Sequence, residues 1–205
     1  QAGSASFSII EALFKNKNLS LYDAQNQKYD SIIDNLNINN SSDICEIGCG
    51  WGGFIKRAKQ TNEDISIDGY TISKNQYEHT KLHHKNIFFE DYRKINKKYS
   101  NVVSIEMFEA VGKKYWDIYF QKLNSLLKIN GTACLQIITI NENSFRKYLN
   151  NVDFIQKYIF PGGMLPTKDI LQKLFKQNGF KLYHKISFLL LNNKVIFFQL
   201  DFNLW

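Results

Sequence analysis

The sequence predicts an α/β fold, a doubly wound and mostly parallel sheet with an antiparallel hairpin at its C-terminal end. Three observations lead there. Residues 43–47 form a short apolar run that passes at once into Gly48, Gly50, Gly52 and Gly53 and then into a helical segment at 54–60. Short apolar runs alternate with helix-period segments as far as residue 140, the pattern of successive strand and helix crossovers. Two further apolar runs, 182–191 and 194–200, are separated by Asn192 and Asn193, which reads as a hairpin.

Taken in order, residues 20–36 predict a helix, with Ser20 as its cap and Leu21, Ala24, Ile32, Ile33 and Leu36 as an apolar stripe. It leads into the strand at 43–47. After the glycine-rich turn, residues 65–69 alternate as a second strand, and residues 71–76 open a helix capped by Ser73. Residues 87–90 make a third strand, with Asp91, Tyr92 and Arg93 just past its end. A fourth, 101–105, runs into Glu106-Met107-Phe108-Glu109-Ala110-Val111-Gly112. Residues 115–127 read as an amphipathic helix stopped by Asn130 and Gly131, and 132–140 as a fifth strand. Beyond a polar and aromatic stretch at 143–156, Pro161 to Pro166 form a turn holding both prolines of the chain. A capped helix at 167–178 ends at Gly179. With no repeat and no linker, one domain is expected over 1–205. Its first 19 residues form an irregular or incomplete segment, and 181–205 an atypical C-terminal one.

The 205 residues suit one domain with a substantial core, and 44% hydrophobic with 22% charged residues is ordinary for a globular protein. A formal net charge of +7 and a pI of about 9.2 favour an acidic partner, an anionic membrane surface or nucleic acid; heavy use of Lys throughout explains the charge equally well. No stretch reaches the roughly eighteen apolar residues needed to span a bilayer, and residues 1–8 lack the features of a secretory signal. Cys45, Cys49 and Cys134 form no paired framework and no zinc spacing, so a reducing, cytosolic setting and no metal are expected.

The glycine turn is built for a ligand pressed against main chain, since glycine allows positive φ and removes the Cβ atoms that would hold a ligand off. Gly48-x-Gly50-x-Gly52 is not the dinucleotide fingerprint, and without a following Gly-Lys-Ser/Thr it is no P-loop. Glu46, two positions before the first glycine, is placed to accept from an amine or hydroxyl. S-adenosylmethionine, with its amino-acid end and ribose, suits this better than a pyrophosphate; an ordinary glycine-rich strand-to-helix turn is the competing reading. Cys49, beside a helix start, has the setting of a lowered thiol pKa, which small-residue packing explains nearly as well. His79 and His83 stand at metal-ligating spacing, but His84 beside them argues for a solvated face. Lys94, Lys97 and Lys98 read as another solvated face.

Four segments together resemble one family. Glu46-Ile47-Gly48-Cys49-Gly50-Trp51-Gly52-Gly53, Asp91-Tyr92-Arg93, Met107-Phe108-Glu109-Ala110-Val111-Gly112 and Tyr158-Ile159-Phe160-Pro161-Gly162-Gly163 are similar in order and spacing to cyclopropane-fatty-acyl-phospholipid synthases. Members are S-adenosylmethionine-dependent methyltransferases acting on unsaturated acyl chains. The likeness covers about residues 20–180, and the Met-Phe-Glu and Phe-Pro-Gly-Gly segments carry it more specifically than the glycine turn. It implies the methyltransferase type of doubly wound sheet, with Gly48, Gly50 and Gly52 along the cofactor's methionine end and Glu46 behind them. It implies Thr71 and Gln76 near the ribose and carboxylate, and Asp91 with Tyr92 near the adenine. Of Glu106 and Glu109, which compete for one role, it selects Glu109 to help hold a bicarbonate ion, with Cys49 near the same ion. The other glutamate is then expected only to cap or to be solvated. Phe108, Tyr158 and Phe160 are candidates for an acyl channel and equally for core.

The chain departs from the family in three places. Gln136 replaces a histidine that ligates bicarbonate, and a glutamine can still donate a hydrogen bond. Residues 181–205 match neither the tyrosine-bearing segment nor the long helix of the family, and the Tyr-Ser motif expected before Leu19 is not recognisable. The implied function is methyl transfer to the double bond of an unsaturated phospholipid acyl chain at an anionic membrane surface, forming a cyclopropane or methylated chain. The implied setting is cytoplasmic and peripheral on the inner membrane face, with no nucleic acid involved. The rivals are N-methyl transfer to a small amine and a cofactor-binding but inactive truncated homologue.

Overall fold

The computed structural model describes residues 20–36, 38, 42–150, 162–190 and 193–202. Two compact units divide at Ile95 and Asn96.

The first unit opens with α1 (Leu21–Asp34), where Ser20 Oγ accepts from Asp23 N as expected. Its buried face is Ala24, Gln25, Lys28, Tyr29 and Ile32, whereas Leu21 is 64% exposed. The expected stripe is therefore rotated. Ala24, Lys28 and Ile32 lie on one face at four-residue intervals, and the stripe includes two polar residues that apolar periodicity skips. α1 packs on α2 (Gly53–Thr61) through an edge contact between Tyr29 and Phe54 and a two-pronged pair, Arg57 Nε and Nη2 to Asp30 Oδ1 and Oδ2 at 2.7 and 2.8 Å.

β1 (Asp43–Ile47) pairs in parallel with β2 (Ser66–Thr71), Glu46 opposite Gly69, and β2 pairs in parallel with β3 (Ile87–Phe89). Thr71 ends β2 and does not open a helix, because its backbone is held in the ladder opposite Phe89. α3 (Lys74–Lys81) begins after Ser73, whose Oγ accepts from Gln76 N. Gly69 is required by crowding. A Cβ there would stand 2.8 Å from Ile55 Cδ1 and 2.9 Å from Ile87 Cδ1.

In the second unit β4 (Tyr99–Ile105) pairs in parallel with β5 (Leu127–Ile140). The helix between them, α4 (Trp116–Leu126), ends without the expected Asn130-Gly131 stop, and β5 begins at the next residue. Those two residues lie inside the strand instead. Tyr99 faces Leu127 but Asn101 faces Thr132, so residues 128–130 bulge out and Asn130 turns the chain at φ 60°. A Cβ at Gly131 would come within 2.9 Å of Lys128 O and 3.1 Å of Ser100 O, so glycine lets the bulge close.

α5 (Glu142–Asn150), with no buried residue, was not read from its polar composition. α6 (Lys168–Gln177) follows the sequence closely: Thr167 Oγ1 accepts from Ile170 N, and Asn178 and Gly179 (φ 74°) end it. Asn178 Nδ2 donates to Asp117 Oδ1 at 3.0 Å and Asn124 Nδ2 to Asn178 O at 2.8 Å, tying α6 to α4. β6 (Phe180–Leu190) and β7 (Asn193–Phe202) form the expected antiparallel hairpin, and β7 pairs antiparallel with β5. Phe108 is core, fully buried with its ring centroid within 5.5 Å of those of Trp116, Tyr119 and Phe120, which is the core alternative and not the acyl channel. Tyr158, Phe160 and Pro161 fall outside the described residues.

The parallel pairings, the intervening helices and the antiparallel hairpin are the α/β class that the sequence predicts. Because Ile55, Ile87 and Cys49 leave no room at Gly69, Gly69→Ala is expected to cost about 1–3 kcal/mol by overpacking. A lowered urea midpoint with unchanged slope would register it; an unchanged midpoint would contradict the crowding.

Candidate functional site

The turn after β1 alternates into the left-handed region at Gly48 (φ 74°), Gly50 (φ 53°) and Gly52 (φ 80°). The main chain there is less bare than the sequence suggests. Gly48 N and Cys49 N both donate to Tyr70 O, at 2.9 and 3.0 Å, and Gly52 N donates to Cys49 O at 2.9 Å. The glycines also differ in purpose. A Cβ at Gly50 would meet only Gly48 O, at 4.0 Å, whereas one at Gly52 would stand 2.7 Å from Thr80 Cγ2 and 3.3 Å from His84 Cδ2. Gly50 leaves room for a ligand, and Gly52 leaves room for the end of α3.

Glu46 is 3% exposed, and its Oε2 has no hydrogen-bond partner among the described residues. Burial pushes its carboxyl up to about 8, and Lys28 pulls part of the way back. Lys28 itself, 1% exposed on α1, was missed. The signal was a lysine on the same helical stripe as Ala24 and Ile32. Burial, then the charge of Glu46, pushes the Cys49 thiol above its ordinary value, and a backbone hydrogen bond only partly opposes them. The helix-start setting therefore does not lower its pKa, because desolvation outweighs it, and Cys49 stays protonated.

Thr71 and Gln76 meet. Thr71 Oγ1 donates to Gln76 Oε1 at 2.9 Å and accepts from Ser73 N at 3.1 Å. Asp91 caps a single 3₁₀ turn at Tyr92–Lys94 by accepting from Arg93 N, and also accepts from Arg93 Nε and Nη2. Arg93 thereby holds the Asp91 carboxyl below the usual range. Asp91 borders an open groove of about 580 Å³ whose apolar wall includes Ile72, Ile87 and Phe88, which suits a flat ring. Trp51, His79 and His83 stack edge to edge, and among the described residues no three His, Cys, Asp or Glu side chains could hold a metal.

In the second unit Glu109 is buried, and its Oε1 accepts from Ile138 N at 2.5 Å. Its carbonyl accepts from Met164 N at 2.9 Å, and a Cβ at Gly112 would press on Gly162 O at 2.8 Å. The Met-Phe-Glu-Ala-Val-Gly segment thus packs main chain to main chain on the Gly-Gly-Met segment. Glu106 is half-buried and caps no helix. At φ 51° it accepts through Oε1 from Gln136 Nε2 and donates its own N–H to Gln136 O at 3.0 Å. Gln136, 1% exposed on β5, thus gives its amide to Glu106, a partner that sequence reasoning did not foresee.

The family model for mycolic acid cyclopropane synthetase matches residues 5–192. The chain belongs to this family. Among its relatives in the family, tuberculostearic acid methyltransferase UfaA1 of Mycobacterium tuberculosis is 32% identical over 171 residues, covering 80% of this chain and 40% of the relative. The cyclopropane-fatty-acyl-phospholipid synthase of Escherichia coli K12 is 36% identical over 152 residues, covering 72% of this chain and 38% of the relative. The chain therefore spans well under half the length of these two curated relatives. The fold is similar to the crystal structure of mycolic acid cyclopropane synthase CmaA1 complexed with SAH and CTAB, with a TM-score of 0.82 at 22% identity over 93% of this chain and 88% of that one.

Glu46 sets a pH dependence whose sign follows from its raised value. Stability from the neutral carboxyl is complete below about 4.5 and is lost as pH rises through about 8. Glu46→Gln removes that loss, so the melting temperature of the variant minus that of the wild type is expected to grow between pH 5 and pH 9. A difference independent of pH would mean that Glu46 titrates normally.

Proposed function

We propose that the chain is an S-adenosylmethionine-dependent methyltransferase that modifies the double bond of unsaturated phospholipid acyl chains, giving cyclopropane or methylated chains. The observation that carries the reading is the first unit's cradle. Glu46 Oε2 lies buried without a partner among the described residues, and the space where a Cβ would stand at Gly50 is open. A zwitterionic ligand lying against main chain fits both features. When bound, S-adenosylmethionine supplies an electrophilic methyl group.

Glu46 accepts from the ligand's ammonium, and the main chain at Gly48, Gly50 and Gly52 shapes the surface beside it. Thr71 and Gln76, already bonded to each other, orient toward the ribose and carboxylate. Asp91 and Tyr92, with the apolar wall of the groove, receive the adenine. Cys49, protonated, is a hydrogen-bond donor and no nucleophile.

Methylation of a C=C bond leaves a carbocation on the acyl chain, which water would quench, so the acceptor side has to be dry. Ring closure then removes a proton from the new methyl group, and the C–H electron pair becomes the third ring bond. Glu109 and Gln136 are the residues we assign to hold the base, a bicarbonate ion. Both are buried, and the Ile138 N–H fixes the Glu109 carboxylate. The net charge of +7 supports work at the anionic inner face of the membrane as a cytoplasmic, peripheral protein. Among the described residues no helix is long and apolar enough to cross a membrane.

Lipid mass spectrometry of cells expressing the chain is expected to show unsaturated acyl chains gaining one CH₂. Glu109→Gln is expected to keep S-adenosylmethionine affinity by calorimetry while turnover falls by about 10²-fold or more. Unmodified lipids together with methylated amines would favour the amine acceptor. Cofactor binding without any turnover would mean an inactive homologue.

A further inference from the structure

At the end of β4 the chain accepts a strained conformation that glycine would adopt freely. Glu106 stands at φ 51°, in the left-handed region that L side chains rarely enter. Turning the chain there does not call for a carboxylate. The side chain's evident work is on Gln136, whose Nε2 donates to Glu106 Oε1 while Glu106 N donates to Gln136 O at 3.0 Å. Two contacts thus join one residue at the end of β4 to one residue of β5.

This pairing fixes an orientation. A carboxylate can only accept, so the NH₂ end of the carboxamide must face Glu106 and the carbonyl end must face away. Gln136 Oε1 is buried and has no hydrogen-bond partner among the described residues. An acceptor left in that state is costly unless something donates to it. On the same strand, two residues on, the Ile138 N–H is engaged by Glu109, so a second acceptor group is anchored nearby in sequence. An orphan carbonyl oxygen such as Gln136 Oε1 meets the hydroxyl of a ligand and not its oxyanion end.

We propose that Glu106 is a positioning residue that locks the Gln136 carboxamide with its carbonyl oxygen presented as an acceptor, so that this end of β5 takes a hydroxyl donor. This rests on the methyltransferase reading above. It reverses the expectation that Gln136 stands in for a histidine as a donor. The hydroxyl is that of bicarbonate or of a water molecule, and supplementing or depleting bicarbonate separates the two sources.

The lock is read first without activity. In wild type the Gln136 side-chain NH₂ signals in ¹⁵N–¹H spectra are expected to be shifted and slow to exchange, and Glu106→Gly, which removes the acceptor, should abolish both effects; Glu106→Gln, which can present either end of its amide, should weaken them. Turnover on unsaturated phospholipid should fall at least tenfold in Glu106→Gln with S-adenosylmethionine affinity unchanged. Adding Gln136→Glu should restore much of it, since a carboxylate at position 136 again accepts from position 106 and keeps an acceptor on its far side. Glu106→Gly relieves the backbone, so a merely structural glutamate would leave that variant fully active, whereas the lock requires it to be impaired. Unchanged NH₂ signals in Glu106→Gly, or turnover of Glu106→Gly within twofold of wild type, would overturn the proposal. An inactive wild type with intact NH₂ signatures would instead count against the methyltransferase reading and leave the lock standing.

Discussion

Two N–H groups converging on one carbonyl set the geometry of the first unit. Gly48 and Cys49 both donate to Tyr70 O, so the turn leaving β1 is fastened to the neighbouring strand before the next helix begins. Fastening it this way requires positive φ at Gly48 and again at Gly50 and Gly52, which side chains with a Cβ resist. With the turn pinned, Glu46 at the end of β1 is carried into the interior, and its carboxyl cannot be solvated. Burial is the largest cause of both the raised pKa of Glu46 and the raised pKa of the Cys49 thiol, and the charge of Glu46 adds to the second.

β5 plays the corresponding part in the second unit. Two polar groups are held along it, Gln136 by Glu106 and the Ile138 N–H by Glu109, while the bulge at 128–130 is left outside. Burying carboxylates is expensive unless hydrogen bonds replace water, and the Ile138 N–H does this for Glu109. The same strand pairs with β4 on one side and β7 on the other, so its backbone is ordered by two neighbours. Side chains on such a strand keep their positions without help from loops.

Local chemistry made much of this legible. Ser20, Ser73 and Thr167 were readable as caps because a hydroxyl before a helix meets an unpaired N–H whatever surrounds it. Asn178-Gly179 was readable as a stop for the same reason. Asn130-Gly131 looked identical in sequence and is something else. Its neighbours across the sheet, Tyr99 and Asn101, decide that the chain bulges there, and pairing of that kind leaves no local mark. Thr71 failed in the same way, since only its ladder partner Phe89 shows that it belongs to a strand. In the turn after β1 the positive φ of Gly48, Gly50 and Gly52 could be read, since glycine marks it locally. Buried Lys28 and half-buried Glu106 could not be read, because each is identified by its partner, and the partner lies far along the chain.

Glu46 shows how one buried group can oppose itself. In the folded protein its ionised form is disfavoured, so rising pH works against folding. A cationic ligand beside it has the reverse effect. An ammonium within contact distance stabilises the carboxylate and lowers its pKa, so binding near neutral pH expels a proton and tightens as pH rises. A buried carboxylate that took an ammonium in this way would cost the fold most at the pH where it bound most tightly. Lys28 limits both effects, since its charge already recovers part of the desolvation cost before any ligand arrives. A carboxylate fully relieved by an internal partner would have nothing left to offer a ligand, and one without relief would make the fold pay too much. The partial relief by Lys28 is what leaves Glu46 poised between the two.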